Sequence, residues 1–201
     1  MSLPTIVGNT YNSKNEIIGD NYKLCRDILH NFNDTPHFMI HMTNQAESIY
    51  RQYLEQNKLK REYDSGIDLL CPNELIIRAN STVLIDLGII VECNIITKNY
   101  DTNELIYNHR PYILAPRSSI YKLHGIQVAN SIGIIDAGYR GILKLALRNL
   151  NDCDYLIKKG ERLSQICLPS LDYNYMFSIV NIEDGLISET ERGERGLGST
   201  G

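Results

Sequence analysis

Turn signals recur throughout the stretch from Ile67 to Val180, and their spacing limits what the chain can fold into. Short apolar runs stand at Ile67–Cys71, Leu75–Ile77, Ser81–Leu87, Ile89–Ile96, Tyr112–Leu114 and Gly125–Ala129. More follow at Ile142–Leu147, Asp154–Ile157, Leu163–Leu168 and Phe177–Val180. Gly, Pro, Asn and Asp punctuate the gaps, so each run is long enough for a strand and too short for a helix. Many short strands with turns between them imply an all-β protein, a jelly roll or distorted β-barrel. Phe38–Met42 adds a further strand. Only Ala46–Lys60 brings Ile49, Tyr53, Leu54 and Leu59 near a helical period, which predicts one short amphipathic helix. Thr97–Arg110 is polar and reads as a long hairpin loop.

The two ends differ from this middle. Residues 1–36 are polar and Asn-rich, with a short helix expected near Tyr22–His30, and they read as an N-terminal extension. Residues 37–188 form the β domain. Residues 189–201, ETERGERGLGSTG, are rich in Gly and nearly free of apolar side chains, as in a flexible tail.

Composition excludes several function classes. The chain has 201 residues with a net charge of −4. Its densest basic run, Lys58–Arg61, is short, so no nucleic-acid polymer is expected as partner. The five cysteines are odd in number and lack a CxxC pair, which suits free thiols in a reducing compartment. No histidine lies in an HxE or HExxH context, so a zinc-deaminase ligand set is missing. The first residues, MSLPTIVGNT, do not resemble a signal peptide, and no apolar run approaches the ~20 residues of a membrane span. A soluble cytoplasmic protein is expected, with no membrane partner.

The chemistry concentrates between Pro116 and Gly141, PRSSIYKLHGIQVANSIGIIDAGYRG. Arg117, Ser118 and Ser119 offer a guanidinium fork and two hydroxyls, a natural set for phosphate oxygens. Asp136 follows the apolar pair Ile134-Ile135. A carboxylate there orients a water or a sugar hydroxyl, although Asp-Ala-Gly is also ordinary turn chemistry.

Five segments stand in order: DSGIDL at 64–69, PRSS at 116–119, GIIDAGYRG at 133–141, GERLSQ at 160–165 and RGERGLGSTG at 192–201. Together they resemble the five motifs of the trimeric dUTPases, across about residues 37–201. The resemblance implies a jelly roll whose three subunits share each active site. It implies a homotrimer that hydrolyses dUTP to dUMP and pyrophosphate with Mg²⁺, lowering dUTP and supplying dUMP for thymidylate synthesis. Asp136 matches the general base that holds the attacking water, and Tyr139 the ring packed on deoxyribose. Uracil is expected against the hairpin from Gly125 to Asp136, with Asn130, Gly133 and Ile135 lining it. Lys144 matches a substrate-lining position. Arg117, Ser118, Ser119 and Gln165 match phosphate contacts, and Asp68 matches the carboxylate that holds Mg²⁺ through water. Arg192, Leu197, Gly198, Ser199 and Thr200 match the tail that closes over the nucleotide, the tail of one subunit completing another's site.

The chain departs from the family pattern in places. Leu197 stands where the family has a Phe that stacks on uracil, and Arg195 replaces a usual Gly. The Asn, Ile and Tyr richness would suit an AT-rich genome such as that of a large DNA virus. The related dCTP deaminases share an RSS turn and an Ile-Asp-x-Gly segment. Their pattern places Glu in the following strand, where this chain has Ala146. A dUTPase-like protein can also lose catalysis and remain a nucleotide-binding module.

Overall fold

The computed structural model describes residues 8–11, 17–20, 35–56, 63–99, 101–102, 105–183 and 187–196. In chain order the strands β1 (Gly8–Tyr11), β2 (Ile17–Asp20) and β3 (Pro36–Met42) precede the helix α1 (Asn44–Glu55). Then come β4 (Gly66–Leu70), β5 (Leu75–Ile77), β6 (Thr82–Asp86), β7 (Ile89–Lys98), β8 (Leu105–His109) and β9 (Tyr112–Pro116). A 3-10 turn at Ser118–Lys122 leads to β10 (Ile126–Val128) and β11 (Gly133–Ile135). The series ends with β12 (Lys144–Asn149), β13 (Tyr155–Ile157), β14 (Arg162–Cys167) and β15 (Met176–Asn181). The expected all-β, jelly-roll architecture is what the chain adopts, with one short α-helix among the described residues. No helix among the described residues is long and apolar enough to cross a membrane.

The strands form a six-stranded sheet in the order β2-β1-β15-β3-β7-β8, a four-stranded sheet β11-β9-β14-β4, a three-stranded sheet β10-β12-β6 and the pair β13-β5. All described pairings are antiparallel except β15 with β3. Period-two alternation sends Phe38, Ile40 and Met42 of β3 into the core. They meet Ile67 and Leu69 of β4, Leu145 and Leu147 of β12, and Phe177 and Ile179 of β15. Phe38 packs edge-on against Tyr112 and Tyr175, with ring centroids 5.8 and 5.3 Å away. The helix closes this core with Ala46, Ile49, Tyr50 and Tyr53 on one face. Tyr50 is fully buried, and its Oη accepts a hydrogen bond from the Leu70 amide at 3.0 Å.

The described part of residues 1–36 is a strand pair on the edge of the main sheet, β1 running antiparallel to β15. The short helix expected at Tyr22–His30 lies outside the described residues, as does Lys58–Arg61. The helix itself begins at Asn44 and ends at Glu55, so it is shifted toward the N-terminus from the predicted span.

Residues 97–110 are not a single loop. β8 pairs with β7 from Asn94↔His109 to Lys98↔Leu105. The Leu105-Ile106-Tyr107 run has strand propensity, but its polar flanks mask it in the sequence. A second difference lies on the other face of β3. His37 and His41 alternate with the core residues, which by pattern alone would put them in water. Both are buried instead, beside Glu92 and Asn94 of β7 and Ser178 of β15.

Candidate functional site

Two separate clefts carry the predicted residues. The first is polar, about 250 Å³, and is lined by Asp64, Ser65, Gly66, Asp68, Arg117, Ser118, Arg162 and Gln165. Three of the five segments meet here because β14 lies between β9 and β4. Gln165 faces Asp68 on one side and Ala115 on the other. Asp68 is gripped from two sides. Arg117 Nε donates to Oδ1 at 2.6 Å, and Arg162 Nη1 donates to Oδ2 at 2.9 Å. Burial pushes the Asp68 carboxyl up from its usual value, while the charges and hydrogen bonds of the two guanidiniums pull it back down. The net shift is upward, burial outweighing the two guanidiniums.

Arg117 Nη1 also reaches Ser119 Oγ at 3.0 Å, which holds the guanidinium plane against the Ser118–Lys122 turn. Gln165 Nε2 donates to the Pro116 carbonyl at 3.2 Å. Gly66 has a steric reason to be Gly. A Cβ there would stand 2.5 Å from Gln165 Oε1 and 2.8 Å from Cys167 Sγ.

The second cleft is about 100 Å³ and is lined by Ile134, Ile135, Asp136, Tyr139, Leu143, Lys144, Arg192 and Gly196. Asp136 lies just past the end of β11, its side chain 50% exposed. Tyr139 is half-buried on the same turn, and its Oη donates to the Ile142 carbonyl at 3.1 Å. Burial pushes the phenol up, so it remains a neutral hydroxyl at physiological pH. The described part of the tail lies over this turn. Arg192 Nη1 meets Asp136 Oδ2 at 2.7 Å, and Gly193 bridges Tyr139. Thr190 Oγ1 donates to the Gly138 carbonyl at 2.5 Å.

The structure brings together Asp68, Arg117, Ser118 and Gln165, with Ser119 bonded to Arg117. It separately brings together Ile135, Asp136, Tyr139, Lys144 and Arg192. Asn130 is exposed in the turn after β10, and neither Asn130 nor Gly133 lines the second cleft. Gly133 instead lets β11 press close to β9, since a Cβ there would lie 3.3 Å from Leu114 Cβ. Leu197, Gly198, Ser199 and Thr200 lie outside the described residues. Arg162 was not singled out in the sequence, although it sits inside GERLSQ. Only the pairing of β14 with β4 reveals that it shares Asp68 with Arg117.

The register places the two clefts at opposite ends of β9. Ile135 pairs with Tyr112 at the start of β9, and Pro116 at its end pairs with Ser164. Asp136 and Arg117 therefore leave opposite ends of this 5-residue strand, roughly 17 Å apart at ~3.3 Å per residue. Each cleft is also below the ~300–1,000 Å³ usual for a small-molecule site. No group of three or more His, Cys, Asp or Glu among the described residues could hold a metal ion.

The all-β fold thus carries two clefts, one polar around Asp68 and Arg117 and the other beside Asp136 and Tyr139. The dUTPase family model matches residues 52–201. The deoxyuridine 5′-triphosphate nucleotidohydrolase of Rickettsia akari is 38% identical over 142 residues, covering 70% of this chain and 84% of the relative. The enzyme of that name from Clostridium kluyveri is 34% identical over 140 residues, with 70% and 85% covered. A solved dUTPase from Streptococcus mutans aligns with 51% of this chain and 75% of its own, at 26% identity and a TM-score of 0.40. This chain belongs to the dUTPase family.

Proposed function

We propose that this chain hydrolyses dUTP to dUMP and pyrophosphate, by attack of water on the α-phosphorus. One observation carries the reading: Asp136 and Tyr139 share one cleft, on the turn that the family motif GIIDAGYRG forms. Asp136 is the general base, holding the attacking water and the deoxyribose 3′-hydroxyl. The Tyr139 ring packs against the sugar, where a 2′-hydroxyl would clash. Ile135 and Lys144 border the nucleoside, and backbone groups with Asn130 and Gly133 read the uracil edge. Cytosine would leave those polar groups unpaired once the base covers them, which is the costly kind of mismatch. Arg117, Ser118, Ser119 and Gln165 take the phosphates. Phosphoryl transfer asks the protein mainly for position and for neutralised charge, and this set supplies both.

The donor set bears on the metal. Two carboxylates, Asp64 and Asp68, line the polar cleft, and two guanidiniums already engage Asp68. That fits Mg²⁺ held chiefly by substrate phosphates, with Asp68 reached through water. When bound, the ion neutralises charge building up on the phosphate oxygens. Arg192, Leu197, Gly198, Ser199 and Thr200 close over the nucleotide and exclude water.

We further propose a homotrimer in which the polar cleft of one subunit faces the Asp136 cleft of the next. The separation along β9 supports a site shared between copies. The described tail docks on its own chain's Asp136 turn, where Arg192 finds a carboxylate. In the shared site it would therefore close over the nucleoside part supplied by its own subunit. A cytoplasmic setting suits the free thiols Cys71, Cys93, Cys153 and Cys167. A deaminase is not favoured, since Ala146 in β12 offers no carboxylate to activate water.

Pyrophosphate release with Mg²⁺ from dUTP, beside dCTP, dTTP and UTP, tests the reading. Release from dUTP alone, lost in Asp136→Asn, is expected. Deoxyuridine nucleotide formed from dCTP would move the activity to a deaminase. Tight dUTP binding without release would leave a nucleotide-binding module.

A further inference from the structure

Behind the Asp136 turn lies a buried polar cluster that the reaction does not use directly. Its centre is Glu92 on β7, only 3% exposed. Glu92 Oε1 accepts from His41 Nε2 at 3.0 Å and from the Ser188 amide at 3.2 Å. His41 Nε2 is assigned as the donor, because a carboxylate can only accept. Glu92 Oε2 accepts the Ser188 hydroxyl hydrogen bond and lies 3.3 Å from Arg140 Nη2. Burial alone would push the Glu92 carboxyl up; the hydrogen bonds from His41 and Ser188 and the Arg140 charge bring it down to about 2.

Arg140, itself only 5% exposed, carries the connection forward. Its Nη1 donates to the carbonyls of Ala137 at 2.9 Å and Tyr139 at 2.8 Å, the backbone of the Asp136–Tyr139 turn. Its Nε donates to Ser188 Oγ at 3.0 Å, and its Nη2 donates to the same oxygen at 2.9 Å. Nη2 also reaches His109 Nδ1 at 3.2 Å. Its own amide donates to the Gly193 carbonyl at 2.8 Å. The catalytic turn and the root of the tail thus hang on the same buried ion pair.

We propose that Glu92, Arg140 and Ser188 are positioning residues that set the Asp136–Tyr139 turn and the tail root in one register, so that neither can shift without the other. The geometry favours this over a general contribution to stability for two reasons. Arg140 gives Nη1 to two turn carbonyls and Nε and Nη2 to Ser188, while Nη2 also meets Glu92 of β7 and His109 of β8. Ser188 contributes one hydroxyl that both partners of the ion pair use. A buried network of this kind holds one arrangement and penalises intermediate ones. The proposal rests on the dUTPase reading for its kinetic consequence, but not for its structural one.

The test uses the full-length protein and three variants. Ser188→Ala deletes the shared hydroxyl, Glu92→Gln keeps the shape and removes the charge, and Ser188→Thr restores a hydroxyl. His37→Gln is the control. His37 lies on the same buried face of β3, but its Nε2 meets Ser178 Oγ at 3.1 Å, outside this network. Misplacing the turn predicts a loss of about 10²-fold in kcat for dUTP, with little change in KM, in Ser188→Ala and Glu92→Gln. Ser188→Thr should recover most of it. Trypsin should cut at Arg192 and Arg195 severalfold faster in Ser188→Ala and Glu92→Gln than in wild type or Ser188→Thr. If Glu92→Gln does not fold, Ser188→Ala decides alone. Unchanged kcat and tryptic rate in folded Ser188→Ala would overturn the proposal. So would an equal kcat loss in His37→Gln at the same loss of Tm. If wild type itself releases no pyrophosphate, the dUTPase reading fails, and the tryptic rates still decide whether the anchor exists.

Discussion

The two clefts are held in different ways. The polar cleft is built into a sheet: Asp68 lies on β4, Arg162 and Gln165 lie on β14, and Arg117 directly follows β9. Its charged groups are locked on one another before any ligand arrives. The Asp136 cleft stands on a turn, with a tail across its mouth and an ion pair behind it. Preorganised donors suit phosphates, whose charge is present throughout the reaction and needs fixed partners. A ring and a sugar need a wall that can close and then release. On the proposed reading, the sheet-built half holds the phosphates and the turn-built half meets the nucleoside and the tail.

The sharpest way to break this comparison is to separate the halves onto different chains. Asp136→Asn alone should lower kcat by about 10²–10⁴-fold, the usual worth of a positioned general base. Arg117→Ala alone should also be severely impaired. Mixing the two variants after dissociation and reassembly should restore measurable dUTP hydrolysis, because some sites then combine an intact polar cleft with an intact Asp136. Absence of any recovery would mean that each chain completes its own site.

Acid should separate the halves next. His37, buried on the sheet behind the Asp136 turn, has its pKa lowered by burial from 6.5 to about 4. The unfolded chain therefore binds this proton more readily than the folded one. Stability is full above pH 6.5 and falls as pH drops toward 4, by up to roughly 3 kcal/mol at about 1.36 kcal/mol per unit. Glu92 acts lower, from its unfolded pKa of 4.5 down to about 2, where the stabilising carboxylate is lost by protonation. Tm measured from pH 7 to pH 4 should fall in wild type and flatten in His37→Gln. An unchanged slope would show that His37 is not the group responsible.

The smallest effect sharpens the picture of the rigid half. Gly66→Ala places a methyl against Gln165 and Cys167, and overpacking of this kind costs about 1–3 kcal/mol. Tm should drop, and KM for dUTP should rise more than kcat falls, since Gln165 is displaced while Asp136 is untouched. Crystallography of the variant with Gln165 in place would refute the steric account.

Much of this molecule could be read locally. The PRSS, GIIDAGYRG and RGERGLGSTG segments are short-range patterns, each contained in a few adjacent residues. Most strands from Ile67 to Val180 were visible for the same reason, since alternation and turn residues act over a handful of positions, but the three-residue β11 was not among them. β8 was hidden because Leu105-Ile106-Tyr107 lies between polar flanks and gains its strand only by pairing with β7. His37 and His41 looked like the wet face of β3, because a strand pattern records alternation and not what later covers each face.

Local sequence thus determined which groups are available and which turns they sit on. The tertiary structure decided their partners. Cross-strand register placed Asp136 and Arg117 at opposite ends of β9, and it brought Arg162 to Asp68. Burial turned Glu92, Arg140 and Ser188 into one anchor. None of these follows from sequence spacing, because each joins residues whose separation along the chain says nothing of their separation in space.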